Sequence, residues 1–237
     1  MLTLVQERPL VRIEGLTKKF GNVTALEDLS VELPEGRIIG LLGENGSGKT
    51  TLLKILAGLY AEYGGVVEID GERPSHRTKA YVSYLPDKSG FALEKTPEGV
   101  MALYRRYFDD FSTERFKTLL DRFDLPLEMA FQEMSKGMIE KVQLSLAMAR
   151  DARLYLLDEP IGGVDSGARE IVLDEVLNRF DSRSTILIVT HLIHEMERIF
   201  DSVVVLRGGR LAGASSCDRL KERYRQPLEE IVKEMGR

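Results

Sequence analysis

The chain has 237 residues, 43% hydrophobic and 30% charged, with a formal net charge of −5, which suits one large or two small domains around an ordinary core. No apolar run approaches the roughly 18 residues of a membrane span, and the mild acidity and short basic clusters (Lys18-Lys19, Tyr104-Arg105-Arg106) argue against a nucleic-acid partner. The one cysteine, Cys217, excludes an internal disulfide framework and reads as a small residue near a turn, and residues 1–8 lack the pattern of a leader peptide, so a cytoplasmic location is expected.

In chain order, residues 10–20 alternate apolar with polar and read as a strand ending at an aromatic, Phe20. A second strand, Leu29 to Leu33, stops at the turn signal Pro34-Glu35-Gly36. A buried strand over 37–42 then enters Gly43-Glu44-Asn45-Gly46-Ser47-Gly48-Lys49-Thr50-Thr51, and Thr51 to Leu56 reads as a helix. Glycine, four residues, then Gly-Lys-Thr between a strand and a helix is a phosphate-binding loop. The glycines turn successive N–H groups inward and the helix N-terminus adds its positive end. Lys49 then reaches the β- and γ-phosphates, and the Thr50 hydroxyl can bind Mg²⁺.

Gly64-Gly65 precedes a strand over 66–71, and residues 80–85 form another that ends at Pro86-Asp87. The pattern then turns helical from Thr96 to Phe123. Val100, Leu103, Tyr104, Tyr107 and Phe108 mark one face; Phe116, Leu119, Leu120 and Phe123 mark another. With a helix over Met138–Arg150, this is expected to be a helical subdomain (91–150) inserted in a single α/β domain spanning 1–237. Its aromatics read as core rather than as a ligand cage.

From Leu154 strands and helices alternate again. Leu154–Leu157 and Thr185–Val189 are short apolar runs, as strands buried on both faces should be. Between them a helix is expected over Ala168–Phe180 with Ile171, Val172, Val176 and Leu177 inward. Residues 203–206 and 210–213 read as a hairpin turned by Gly208-Gly209, and 218–237 as a charged helical tail broken at Pro227. Asp158-Glu159 closes the strand at 154–157, at the sheet edge where ligands of open α/β sheets collect. Beside a phosphate loop, the first carboxylate can hold Mg²⁺ and the second can orient or deprotonate an attacking water. His191, on residues alone, is a lone histidine at a strand end; His76 and His194 read as ordinary surface residues.

These residues together resemble the ATP-binding subunits of ABC transporters, over nearly the whole chain. The resemblance implies an α/β phosphate-loop NTPase core with a mixed sheet, an antiparallel β subdomain and the inserted helical subdomain. It implies that Phe20 stacks on adenine, that Asp158 and Glu159 are the Mg²⁺ aspartate and catalytic glutamate, and that His191 contacts the γ-phosphate. Gly162-Gly163-Val164-Asp165 would cross a dimer interface. The family's Leu-Ser-Gly-Gly-Gln signature is here Met134-Ser135-Lys136-Gly137-Met138. Ser135 and Gly137 are kept to face the partner's ATP; Lys136 pairs with phosphate or ribose or points to water, with water slightly favoured. Asp87 stands where the family has a Mg²⁺-contacting glutamine, and its carboxylate is also a hard oxygen ligand.

ATP and Mg²⁺ are thus the implied ligands. The implied partners are a membrane-spanning permease and a second ABC ATPase, in a homodimer or heterodimer at the inner face of the membrane. The two departures resemble a branch that pairs with small bacterial export permeases linked to antibiotic or cell-envelope stress. The competing readings are a soluble ABC-type ATPase of macromolecular or cofactor assembly and a non-hydrolysing nucleotide-sensing scaffold. Neither long coiled coil nor second cassette is present, and Lys49, Asp158, Glu159 and His191 all stand against the scaffold.

Overall fold

A computed structural model describes residues 9–180 and 183–235. Residues 1–8, on which the leader reading rests, and the last two residues of the tail lie outside the described residues. Two long strands, β1 (Pro9–Phe20) and β2 (Val23–Pro34), pair antiparallel, and β4 (Gly64–Ile69) flanks β1 to complete a three-stranded sheet. Between them in sequence come β3 (Ile38–Leu42) and α1 (Lys49–Leu56). The β2 strand begins earlier than its apolar run because the ladder with β1 continues to Phe20 opposite Val23. Gly64 and Gly65 belong to β4 rather than preceding it.

The main sheet has six strands in the order β5 (Val82–Leu85), β6 (Leu154–Asp158), β7 (Thr185–Val189), β3, β8 (Ser202–Arg207), β9 (Arg210–Ser216). All pairings are parallel except the closing β8–β9 hairpin, so the sheet is mixed. Strands β3, β6 and β7 are buried at every position. Because side chains alternate across the pleat, each strand feeds two cores. Leu154, Leu156, Leu187, Val189, Val204 and Leu206 pack with α1 and the antiparallel sheet. Tyr155, Leu157, Ile186, Ile188, Val203 and Val205 pack with the helices of the other layer.

Those helices are α2 (Pro97–Tyr107), α3 (Thr113–Arg122), α4 (Lys136–Met148) and α5 (Ser166–Arg179). Thr96 caps α2 by accepting from Gly99 N at 3.2 Å, with Pro97 at the first helical position, and Ser112 caps α3 through Arg115 N at 3.2 Å. Phe116, Leu119, Leu120 and Phe123 are buried together, as their spacing predicts. In α2 the buried side is Val100 and Met101, with Tyr104 and Phe108 half-buried against it; Leu103 and Tyr107 turn out to solvent. In α5 the inward set is Val172, Leu173 and Val176, and Leu177 is exposed. Arg150 fastens the helical stretch to the strand edge. Only 2% exposed, it pairs with Asp110 at 2.5 Å and donates to the carbonyls of Lys79 and Ala80 at 2.9 and 3.0 Å, under the ring of Phe108.

After β7 comes a short helix, α6 (Ile193–Met196), too brief to show a helical period in the sequence. The tail forms α7 (Cys217–Tyr224) and α8 (Leu228–Met235). Cys217 is buried at the β9–α7 junction, the first residue of α7, where burial pushes its thiol up to about 12. Leu228, Ile231 and Val232 seat α8 in the helical-layer core.

Candidate active site

The phosphate loop leaves β3 at Gly43, whose φ is +140° and whose position allows no side chain, since a Cβ would overlap the Leu206 carbonyl. Gly48, at φ +100°, is held likewise: a Cβ there would sit 2.6 Å from the Ala25 carbonyl and the Leu26 side chain. Ser47 is buried, its N–H donating to Glu44 O at 3.2 Å. Lys49, at the first turn of α1, donates its Nζ to the carbonyls of Gly43 and Glu44, each at 2.8 Å. An ammonium carries three donors, so one remains for a phosphate oxygen. Burial lowers the Lys49 pKa, and Glu159 and Asp158 oppose that shift.

Asn45, Gly46, Gly48, Lys49, Thr50, Thr51, Asp87, Asp158, Glu159 and His191 line one cleft of about 400 Å³. The sheet order explains the convergence: β7 lies between β3 and β6, so three strand ends deliver the loop, the carboxylates and the histidine to one edge. Glu159 takes a left-handed backbone, φ +56°, uncommon for a residue with a side chain. Its N–H donates to Val189 O at 2.8 Å and its carbonyl accepts from Gly162 N at 3.1 Å. Its Oε2 lies 2.9 Å from His191 Nδ1 and accepts from the His191 N–H at 3.3 Å.

Asp158 is 2% exposed and its Oδ2 has no hydrogen-bond partner. Burial raises its pKa, the Thr50 hydroxyl lowers it, Asp87 and Glu159 raise it and Lys49 lowers it. A buried, unpartnered carboxylate oxygen next to a hydroxyl and a second carboxylate is a donor set that fits a hard divalent cation. Thr50, Asp158 and Asp87 are the residues that would hold Mg²⁺.

Phe20, Ser135, Lys136 and Gly137 do not line this cleft. Phe20 is 44% exposed and meets Tyr60 edge-on, ring centroids 5.3 Å apart, with the Lys18 ammonium 4.9 Å from its ring. One aromatic at a strand end is legible in sequence; its contact with Tyr60 is not. Ser135 caps α4, accepting from Met138 N at 3.2 Å, so its hydroxyl sits at a helix N-terminus. Lys136 is largely exposed but has a partner within its own helix: Glu140 Oε1 lies 3.3 Å from its Nζ. The i,i+4 Lys–Glu spacing is the sequence signal for that pair. Lys136 lines a second cavity of about 170 Å³, shared with Glu140, Gly162 and Gly163 and also reached by Asp158, Glu159 and His191. Gly137 approaches the Gly163 carbonyl so closely that a Cβ would lie 3.0 Å away. Asp165 caps α5 through Ala168 N at 3.0 Å and pairs with Lys141 of α4 at 2.7 Å. That Lys141 contact, with the cap, holds its carboxyl down at about 2.

Residues 26–162 match the family model described as ABC transporter. The chain belongs to the ABC transporter ATPase family. It is 31% identical to the ABC transporter ATP-binding protein YtrB of Bacillus subtilis over 91% of this chain and 75% of that one. It is 30% identical to a Nod factor export ATP-binding protein I of Ralstonia nicotianae, over 85% of this chain and 65% of that protein. A solved ATP-binding subunit of an ABC transporter superposes with a TM-score of 0.87 at 27% identity, covering 96% of this chain and all of the other. This ABC ATPase is therefore the ATP-binding subunit of a transporter, with the phosphate-loop α/β fold that its residues imply. Among the described residues no helix is long and apolar enough to cross a membrane.

Proposed function

We propose that this ABC ATPase hydrolyses ATP in a head-to-tail dimer at the inner face of the membrane and thereby drives an export permease. The observation that carries the reading is the convergence of Lys49, Thr50, Asp158, Glu159 and His191 on one cleft, with Glu159 and His191 in direct contact. Lys49 and the loop amides would bind and neutralise the β- and γ-phosphates of ATP, the dominant catalytic contribution in such transfers. Glu159 would orient the attacking water and accept its proton, while His191 would hold Glu159 and the γ-phosphate in line. Mg²⁺ on Thr50, Asp158 and Asp87 would supply charge neutralisation at the phosphates. Phe20 would stack on adenine.

Ser135 and Gly137 would serve the partner's nucleotide rather than their own. The exposed cap residue Ser135 at the start of α4 supports this, because helix N-termini favour phosphate. With Lys136 paired to Glu140, that residue would enter the composite site as a counterbalanced charge. The Asp87 loop and a helical subdomain over 91–150 would carry the closing motion to the permease. An exporter of the small-permease branch fits the Ser-Lys-Gly-Met and Pro-Asp variants and the exporter among the relatives.

Glu159→Gln tests the reading. Nucleotide affinity is expected to stay within about twofold while steady-state phosphate release falls at least about a hundredfold. Equal turnover would sink the role of Glu159. Affinity capture of the same variant with ATP and Mg²⁺ in detergent should recover a polytopic membrane protein. Recovery of soluble partners alone would transfer the reading to an assembly ATPase.

A further inference from the structure

The contact between His191 and Glu159, which the His191 N–H shares on the same carboxylate oxygen, is followed in the chain by α6. That helix has four residues and no side-chain cap at its N-terminus, so it cannot fix its own direction. It begins two residues after His191, with Leu192 N–H donating to Thr190 Oγ1 at 3.0 Å and Glu195 N–H to Leu192 O at 3.2 Å. Ile193 and Met196 bury its apolar side. Among the described residues its polar side meets two charged groups from other elements: Glu195 Oε1 takes Arg169 Nη1 of α5, with His194 of α6 itself 3.6 Å from the same oxygen, and His194 Nδ1 lies 4.0 Å from Glu229 Oε2 of α8.

Arg169 has a second bond. Its Nε donates to Val164 O at 3.3 Å, inside the 162–165 loop, and its own N–H donates to Asp165 O at 3.1 Å. Asp165 in turn takes the Lys141 ammonium from α4. The fork of one guanidinium therefore spans the loop that leads from Glu159 and the helix that leads from His191. Both side chains of the pair are half-buried, at 29% and 23% exposure, so the contact is less screened than a surface ion pair.

We infer that Arg169 is a positioning residue: it sets His191 against Glu159 by anchoring α6 to the 162–165 loop, so that displacement of that loop is felt at the histidine. The inference rests on the ATPase reading above and adds a device that regulates it. Arg169 touches neither ATP nor water in this scheme; it acts through Glu195 and the Val164 carbonyl.

The test compares the full chain with Arg169→Ala, Glu195→Gln and the double variant, by steady-state phosphate release, binding of a fluorescent ATP analogue and thermal unfolding. Each single variant is expected to lower kcat roughly three- to thirtyfold, the range of such couplings, with nucleotide affinity within about twofold. The double variant should be no worse than the worse single, because both remove one contact. The charge-exchanged pair, Arg169→Glu with Glu195→Arg, should recover part of kcat, which a packing role alone would not produce. Unchanged kcat in Glu195→Gln, multiplying losses in the double variant, or a fall in affinity equal to the fall in kcat each overturns the inference. If Arg169→Ala does not fold, Glu195→Gln, which preserves shape, decides the matter by the same kcat and affinity criteria. A wild-type chain that binds the analogue without turnover overturns the ATPase reading itself; active wild type with unimpaired variants overturns only the inference.

Discussion

The cleft edge of the six-stranded sheet and the helices over 97–148 are built to different standards. The helices follow the local rules: Thr96, Ser112 and Ser135 cap three successive N-termini, and Phe116, Leu119 and Leu120 are all but fully buried on one face. The cleft breaks them. Gly43 and Glu159 hold positive φ, and the buried Ser47 Oγ and Asp158 Oδ2 lack hydrogen-bond partners. Regular helices contribute stability; the strained edge gives some of it up at groups that, on the proposed reading, would meet phosphate and metal. Such departures are not confined to the cleft: in the helical stretch Asp124 holds φ +54° and the buried Asp110 Oδ2 and Glu140 Oε2 also lack hydrogen-bond partners.

Three substitutions put numbers on that contrast. Phe116→Ala removes a fully buried ring from the helical layer and is expected to cost about 3–5 kcal/mol in urea unfolding. Below the unfolding midpoint, ATP binding should persist. A smaller loss would mean that the helices are not the scaffold described. Asp158→Asn should do the reverse. Turnover is expected to fall about a hundredfold or more, about 2.7 kcal/mol, while the melting temperature stays level or rises by roughly 2–4 °C, since a desolvated carboxylate is removed. A large drop in melting temperature would show the carboxylate to be structural. Ser112→Ala, which deletes only a cap, should cost about 1 kcal/mol and leave kcat unchanged.

Much of this architecture is legible in the residues alone. The phosphate loop is local, so its strand, glycines and helix sit in one stretch, and Asp158-Glu159 carries its strand with it. The burial of Phe116, Leu119, Leu120 and Phe123 follows from helical spacing. His191 gains meaning only from the family resemblance, because its partner Glu159 is remote in sequence. The inward face of α5 departs from the expected one, Leu173 taking the place of Leu177. Polar residues also enter that face, since Glu175 is 7% exposed and meets Arg122 of α3 at 3.5 Å. Arg169–Glu195 and Phe20–Tyr60 lie between elements, where no spacing rule applies.

The central place of β3 has a consequence for how the protein is made. Residues 38–41 pair on one side with residues 186–189, and residues 39–42 on the other with residues 202–205. The strand that leads into the phosphate loop therefore emerges from the ribosome without either neighbour. At about 5–20 residues per second, it waits on the order of ten seconds for them, with its apolar sides unpaired. Such distant pairings are slow to close, so a nascent chain should become able to hold nucleotide late, and in one step. Acquisition of ATP binding would then mark the moment at which the sheet is complete.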